Sequence, residues 1–359
     1  MEQRATIRRF EQRDEEAAVR LLLSKAPAGQ RDKAFAERLR RWRWQYYENP
    51  SNPESNPILW VADSAGTMAG LVCPLAVRLR TPRGLVGASW CNDWIVDQAS
   101  RGTGLGWMLE EAWVKTFPVA LGRGWSERAY EVSVKLGLVT VSGFWRYWIV
   151  LSRIGFARLL FAAGHHRALA RLARTPPAIG LGHKPASGHS IEASTQLPGD
   201  IDALWQRVSK AYGFAVERDL KHMKWRYERH PTQKYWFIKA STSTDLAGLV
   251  VVRITDDSPP LGVICDVLAD PSDRALVTCM LEEALSLLKR EGACAAVADL
   301  PPRLAGAFST IRKPILREDL KILVSDNAKA YSEMGIFDAS AWYLSKSDSD
   351  IDFSAGILT

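Results

Sequence analysis

The sequence has few of the patterns that mark a metal site, a disulfide framework or a membrane span. Its six histidines show no metal-ligand spacing, so we expect no bound metal. The five cysteines are odd in number and lie in apolar runs without C-x-x-C spacing, which predicts reduced, buried thiols. The longest apolar stretch, residues 144–164, contains three arginines and therefore does not predict a membrane span.

Two further absences concern location and charge. The chain opens directly into charged residues with no apolar signal region, so we expect a cytoplasmic protein. Residues 151–190 contain no Asp or Glu, and six basic side chains there carry +6 of the net charge of +7: Arg153, Arg158, Arg167, Arg171, Arg174 and Lys184. The basic character therefore belongs to one segment, and the rest of the chain is close to neutral.

A glycine-rich stretch at residues 93–112 carries the clearest functional signal. Residues 94–96, Trp-Ile-Val, favour an extended strand, and Gly102, Gly104 and Gly106 permit a sharp turn. The helix predicted to follow would present its free N–H groups and the positive end of its dipole to the same point. Arg101 adds a positive charge there. The pattern predicts a phosphate-binding loop.

The loop lacks the Gly-Lys-Ser/Thr ending of Walker loops and the Gly-x-Gly-x-x-Gly spacing of dinucleotide loops. Its spacing, Arg101-x-x-Gly104-x-Gly106 after a strand, resembles the coenzyme A pyrophosphate loop of the GNAT superfamily of N-acetyltransferases. The alternative is an ordinary glycine-rich turn between a strand and a helix.

The predicted order of elements also resembles a GNAT domain over about residues 4–152. It reads strand, two helices, three strands, helix, strand, helix, strand, an α/β (α+β) pattern in which we expect a mixed, mostly antiparallel sheet flanked by helices. In the predicted helix after the fifth strand, Ser126, Ala129, Lys135 and Gly137 match the family pattern. Ser133 stands where the family has a tyrosine.

The second half of the chain repeats the first. Asp93-x-x-x-Asp97 returns as Asp266-x-x-x-Asp270, and residues 108–112, Met-Leu-Glu-Glu-Ala, return at 280–284. The segments Trp-x-Tyr-x-x-x-Pro at 44–50 and Ala-Gly-Leu-Val at 69–72 return at 225–231 and 247–250. Four matches in the same order predict two tandem GNAT-like domains. In the second, Asp273, Leu276 and Thr278 replace the arginine and two glycines of the loop.

We therefore expect an acyl-CoA-binding domain at residues 1–152, a basic linker with a helix at 153–194, and a degenerate domain at 195–353. The arginines of the linker are interpreted as solvent-exposed; a site for nucleic acid or for an acidic membrane surface is the alternative. Trp42, Trp44, Tyr46 and Tyr47 are interpreted as core residues rather than an acceptor platform. Asp348, Asp350 and Asp352 alternate like metal ligands, but we expect a solvated tail.

The resemblance implies an acetyl- or other acyl-CoA cofactor, whose thioester an amine acceptor attacks directly. The residues implied in cofactor binding are Ile95, Val96, Arg101, Gly102, Thr103, Gly104, Leu105, Gly106 and Ser126. Asp93 is the candidate general base, with a purely structural role as the alternative. Tyr130 and Ser133 are the candidates for a general acid, although a serine hydroxyl is a weak one.

The predicted function is therefore acyl-CoA-dependent N-acyl transfer to an amine, in the first domain only. The acceptor, whether a small molecule, a sugar or a peptide amine, cannot be named from the sequence. Two alternatives stay open: a non-catalytic module that binds acyl-CoA or a partner protein, and an aminoacyl transferase that uses charged tRNA. The glycine-rich loop, which keeps the coenzyme A spacing, argues against the tRNA alternative, whereas the basic linker favours it.

Overall fold

The computed structural model describes residues 5–53, 56–162, 164–165, 169–170, 188–308, 311 and 315–349. Within these ranges the strands are β1 (Thr6–Arg9), β2 (Trp60–Ser64), β3 (Thr67–Thr81), β4 (Gly84–Val96), β5 (Val119–Gly122), β6 (Val139–Val150), β7 (Ser190–Ser194), β8 (Phe214–Val216), β9 (Trp236–Ser241), β10 (Leu246–Ile254), β11 (Leu261–Ala269), β12 (Ala295–Leu300), β13 (Ile315–Asp326) and β14 (Trp342–Tyr343). The α-helices are α1 (Glu15–Leu22), α2 (Ala28–Tyr46), α3 (Leu105–Val114), α4 (Glu127–Lys135), α5 (Arg153–Ala162), α6 (Ile201–Val208), α7 (Leu220–Met223), α8 (Arg274–Arg290) and α9 (Pro302–Phe308).

The chain forms two compact units, each built from three segments. The first unit comprises Met1–Val141, Arg229–Thr232 and Ile322–Phe337. The second comprises Ser142–Glu228, Gln233–Lys321 and Asp338–Thr359.

The first unit contains a sheet in the order β1-β2-β3-β4-β5-β13, with helices on both faces. The β4–β5 pair is parallel and the other pairs are antiparallel. Successive residues of β2 and β3 face opposite sides. Val61 and Leu71 pack with α1 and α2, whereas Ala62 and Val72 pack with α3. Trp42 and Tyr46 are 1% exposed and belong to the first cluster, which confirms their interpretation as core residues.

The second unit repeats this arrangement, with a sheet in the order β7-β9-β10-β11-β12-β6. Its β11–β12 pair is parallel, as β4–β5 is in the first unit. A bulge also recurs at the same place. The register of β3 with β4 shifts so that Asn92 has no partner, and that of β10 with β11 shifts so that Cys265 has none. The predicted class, two α/β domains with mixed, mostly antiparallel sheets flanked by helices, is confirmed.

The last strands of the two halves are exchanged. Trp145–Val150 of β6, which follows α4 in the chain, pairs antiparallel with β12 of the second unit. Leu323–Asp326 of β13 pairs antiparallel with β5 of the first unit. The units therefore do not follow the division at residues 152 and 195. That division stays a prediction about where the two repeated halves of the sequence begin and end. The two units instead describe which residues pack together.

The predicted linker begins with α5, whose Phe156, Leu159 and Leu160 are buried in the core of the second unit. Arg167, Arg171 and Arg174 lie outside the described residues. The expectation of a solvated acidic tail is wrong for Asp348, which is 3% exposed and forms an ion pair with Arg218 at 2.7 Å. The positive charge of Arg218 offsets the hydration that the Asp348 carboxylate loses on burial.

Candidate functional site

The site begins where β4 and β5 separate. The two parallel strands pair only through Ala88–Val119, Ser89–Ala120 and Trp90–Leu121. Beyond Trp90, β4 stays paired to β3 as far as Val96, so its other edge has no strand partner among the described residues. Its backbone N–H and C=O groups on that edge can therefore hydrogen-bond to a ligand.

A cavity of about 550 Å³ lies along this part of β4 and the start of α3 and α4. Its lining comes from the end of β4, from the glycine-rich loop, and from the first turns of the two helices. The lining residues are Trp94, Ile95, Val96, Ser100, Arg101, Gly102, Gly104, Leu105, Gly106, Trp107, Ser126, Arg128, Ala129 and Val132. Eight of the nine residues predicted to bind the cofactor are in this lining.

The three glycines of the loop have different structural roles. Gly102 and Gly104 have φ values of +85° and +88°, a backbone conformation that L-residues with a Cβ adopt only under strain. Gly106 instead lies within α3, where an added Cβ would be 3.3 Å from Cζ2 of Trp94. The first two therefore form the turn, and the third lets α3 pack closely on β4.

The N-termini of α3 and α4 both border the cavity. Gly104 is the N-cap of α3, and no side-chain hydrogen bond caps that helix. The N–H groups of its first turn and the positive end of its dipole are therefore available to an anion. Ser126 caps α4 and accepts a hydrogen bond from the Ala129 N–H at 3.3 Å.

Two exposed arginines in the lining, Arg101 and Arg128, add positive charge to the cavity. Arg128 was not predicted from the sequence. Its position in the first turn of the helix that Ser126 caps could have indicated that it lies beside the cofactor. Trp94, Ser100, Trp107, Ala129 and Val132 were also missed.

The residues fit a diphosphate joined to an elongated arm. A helix N-terminus preceded by left-handed glycines forms an anion cradle, and two guanidinium groups lie in the same lining. The free edge of β4 is a surface for an extended, amide-containing chain. The remaining predicted residue, Thr103, does not line the cavity; its hydroxyl donates to the Ser100 carbonyl at 2.7 Å.

The candidate base Asp93 is on β4 but not in the cavity lining. Its Oδ2 accepts from Nη2 of Arg38 at 2.5 Å, and the two side chains are 21% and 16% exposed. The carboxylate is therefore engaged in a partly buried ion pair with α2. This ion pair agrees with the alternative of a purely structural role for Asp93. Its role as a general base stays a prediction.

The two candidate acids are also outside the cavity lining. The hydroxyl of Tyr130 shares a hydrogen bond with the Thr140 hydroxyl at 2.8 Å, and the residue is 37% exposed. Ser133 is 1% exposed and donates to a carboxylate oxygen of Glu110 in α3. Burial raises the pKa of Glu110 to about 7, and the Ser133 hydrogen bond opposes that shift. Ser133 therefore links α3 to α4.

The corresponding helix start in the second unit differs in charge. Asp273 caps α8, its carboxylate accepting from the Leu276 N–H at 3.0 Å. A smaller cavity of about 340 Å³ there is lined by three carboxylates, those of Asp245, Asp270 and Asp273, together with His189 and the guanidinium of Arg207, which donates to the Leu246 carbonyl. A helix start that is already capped by a carboxylate, with two more carboxylates in the lining, is a poorer site for a phosphate group than the uncapped start of α3.

Comparison with solved structures shows the fold. A GCN5-related N-acetyltransferase from Anabaena variabilis aligns with a TM-score of 0.60 at 11% identity, over 89% of this chain and 72% of that one. One from Kribbella flavida aligns with a TM-score of 0.51 at 12% identity, over 89% and 71%. A tandem GNAT protein of the clavulanic acid biosynthesis pathway aligns with 0.51 at 12% identity, over 89% and 98%. This chain has the GNAT fold.

No protein-family model and no curated protein matches the sequence. The GNAT fold is therefore established by the shape of the chain, at identities too low to carry an acceptor or an activity across. The coverage of 98% of the tandem GNAT protein agrees with the repeated sheet order of the two units.

Two features are absent from the described residues. No group of three or more His, Cys, Asp or Glu side chains there could hold a metal ion. In the same ranges, no helix combines the length and the apolar character needed to cross a membrane.

Proposed function

We propose that the protein transfers an acyl group from acyl-CoA to an amine, and that the cofactor binds in the first unit only. The observation that carries this proposal is the cavity at the end of β4. It combines an uncapped helix N-terminus at Gly104, the guanidinium of Arg101 and the free strand edge from Trp94 to Val96. The GNAT fold supports the same class of reaction.

When bound, acyl-CoA supplies an activated thioester carbonyl. In the proposed complex, the N–H groups at the start of α3 hold the pyrophosphate, with Arg101 and Arg128 compensating its charge. The backbone of Ile95 and Val96 aligns the pantetheine arm, and an N–H of this strand polarises the carbonyl oxygen. Alignment of two reactants in this way lowers the entropy loss of the bimolecular step.

The acceptor must present a neutral amine, because an ammonium ion has no free electron pair. Asp93 is the proposed proton acceptor, directly or through water. Its ion pair with Arg38 of α2 fixes the position of the carboxylate on β4. A small molecule, a sugar or a peptide amine would satisfy this chemistry.

Calorimetry on the full chain tests cofactor binding. We expect acetyl-CoA to bind with a stoichiometry near one, because the second unit presents carboxylates where the first presents glycines and arginine. Gly104→Val should abolish binding, because the left-handed turn is lost. Gly66→Val is the matched control: Gly66 also has a positive φ, +81°, and lies in the β2–β3 turn rather than in the lining. Two equivalent sites, or binding that survives Gly104→Val, would contradict the proposal.

A non-catalytic acyl-CoA-binding module is the second candidate, favoured by one observation. Asp93, Tyr130 and Ser133 all have hydrogen-bond partners elsewhere and lie outside the cavity lining. A screen of amines with acetyl-CoA separates the two candidates. An enzyme would release free CoA faster than the spontaneous reaction in buffer, whereas a binding module would not.

A thermal-shift screen with acetyl-CoA, longer acyl-CoA and tRNA addresses the aminoacyl-transferase alternative. A ligand that binds only the folded state raises the melting temperature, and the stabilisation grows with the logarithm of its concentration relative to its Kd. Stabilisation by charged tRNA, without stabilisation by any acyl-CoA, would replace the proposal with that alternative.

A further inference from the structure

Two side chains in the lining of the cavity, Trp107 and Arg128, have no partner among the described residues. Trp107 lies in the first turn of α3, is 38% exposed, and forms no ring contact or hydrogen bond with a described residue. Arg128 is the second residue of α4, is exposed, and forms no hydrogen bond or ion pair with a described residue. An indole and a guanidinium in a cavity are therefore both available to a ligand.

Arg101, the other charged residue of the lining, is placed differently. Its Nε donates to the Val96 carbonyl at 3.5 Å, so the side chain lies at the end of β4, beside the uncapped start of α3 at Gly104. Free N–H groups, a helix dipole and a guanidinium at one point suit a single diphosphate. Arg128 belongs to a different helix and suits a second anionic group.

Coenzyme A carries such a second group at its adenosine end, where the ribose bears a 3′-phosphate. A phosphate monoester has nearly two negative charges at pH 7, and a guanidinium binds its oxygens through paired N–H donors. The adenine of the same end has a flat aromatic face, which stacks well on an indole. The two side chains without a partner therefore match the two parts of this end of the cofactor.

Resting on the proposed function, we propose that Arg128 binds the 3′-phosphate of acyl-CoA and that Trp107 stacks on its adenine. The first unit then distinguishes CoA from dephospho-CoA. Arg128 acts on the pyrophosphate only at a distance, whereas its hydrogen bonds go to the 3′-phosphate. None of the described lining residues is acidic, so no carboxylate in the lining opposes a second phosphate.

Calorimetry on the full chain with acetyl-CoA and acetyl-dephospho-CoA tests the phosphate contact, because these ligands differ only in the 3′-phosphate. We expect acetyl-CoA to bind at least about tenfold more tightly, since hydrogen bonds between charged groups are strong. The difference between the two ligands should shrink as salt is raised, because the exposed charges are screened.

Arg128→Gln should weaken the binding of acetyl-CoA by about tenfold. It should weaken that of acetyl-dephospho-CoA by no more than about threefold, since an exposed charge at a distance contributes little. Lys135→Gln is the matched control. Lys135 is exposed, ends α4 about 10 Å further along the helix, and is not in the lining. This variant loses the same charge and should bind both ligands as the wild type does.

Trp107→Ala should weaken acetyl-CoA and acetyl-dephospho-CoA alike, by about tenfold, because both carry the adenine. S-acetyl-4′-phosphopantetheine lacks the adenosine, so its affinity should not change. Met108→Ala is the matched control, since Met108 is the next residue, is 41% exposed, and is not in the lining. The four substituted side chains are exposed, so the melting temperatures should stay close to that of the wild type.

Equal affinities of the wild type for acetyl-CoA and acetyl-dephospho-CoA would overturn the phosphate contact and leave the proposed function standing. Equal losses of both ligands in Arg128→Gln would place its hydrogen bonds on the pyrophosphate instead. Equal losses in Arg128→Gln and Lys135→Gln would reduce the effect to net charge. A loss of all three ligands in Trp107→Ala would overturn the stacking contact. If no acyl-CoA bound at all, this proposal would fail together with the proposed function.

Discussion

Replacement of Glu110 by glutamine tests how α3 and α4 are held together beside the cavity. Glu110 is 1% exposed, and one of its oxygens accepts a hydrogen bond from Ser133. The other, Oε2, is buried and has no hydrogen-bond partner among the described residues. A carboxylate in this position lacks the solvation that it has in the unfolded chain, so the protonated form is favoured in the folded state.

The magnitude follows from the shift in pKa. Burial raises the pKa of Glu110 from 4.5 to about 7, with the Ser133 hydrogen bond opposing it. Between these values the folded protein holds a proton that the unfolded chain has lost, so the free energy of unfolding decreases as the pH rises from 4.5 to 7. A shift of this size corresponds to about 3 kcal/mol, which is present below pH 4.5 and fully lost above pH 7.

Glutamine reproduces the protonated form, because it is neutral and its oxygen can still accept from Ser133. Glu110→Gln should therefore be within about 1 kcal/mol of the wild type near pH 5 and exceed it at pH 8 by up to about 3 kcal/mol. For a unit of this size, the melting temperature at pH 8 should rise by on the order of 5–10 °C. Thermal unfolding followed by circular dichroism at the two pH values measures the difference.

Glu111→Gln is the matched control. Glu111 is the adjacent residue of α3, and its carboxylate forms an exposed ion pair with Lys115 at 2.7 Å. Its loss should change stability little and equally at both pH values. Ser133→Ala should enlarge the pH dependence of the wild type, because it removes the hydrogen bond that favours the charged form. Equal changes in melting temperature from pH 5 to pH 8 in wild type and Glu110→Gln would refute the reasoning.

Three further predictions concern the cofactor, the proton acceptor and the exchanged strands. Gly104→Val should remove acyl-CoA binding in calorimetry while circular dichroism shows a folded protein, since the cost of a strained turn residue is roughly 1–2 kcal/mol. An unfolded variant would contradict this, because it would show that the turn is required for folding. Asp93→Asn should retain acetyl-CoA binding and lower turnover by roughly a hundredfold; Arg38→Gln, which breaks the same ion pair but keeps the carboxylate, should lose much less, and equal losses would make Asp93 a structural residue. A chain that ends after Ser152 should fail to fold into a monomeric first unit, because β5 then lacks its β13 partner at Leu323–Asp326; a cooperatively melting monomer would contradict this.

The sequence alone determined the features that depend on near neighbours in the chain. The glycine-rich loop between β4 and α3 was predicted because left-handed turns need glycine and because the following helix exposes its N–H groups. The repeated segments predicted the repeated sheet order of the two units, since similar local patterns form similar elements. The placement of eight predicted residues in one cavity lining follows, as all but Ser126 come from one continuous stretch.

Only the tertiary structure decided which elements meet across long distances in the chain. The pairing of β6 with β12 and of β13 with β5 could not be predicted, because each strand pairs with a segment far away in the chain and either partner would satisfy its backbone hydrogen bonds. The contacts of Ser133 with Glu110 and of Asp93 with Arg38 join separate helices and strands. Residue spacing gives the face of a helix on which a side chain lies, but it does not say which element packs against that face.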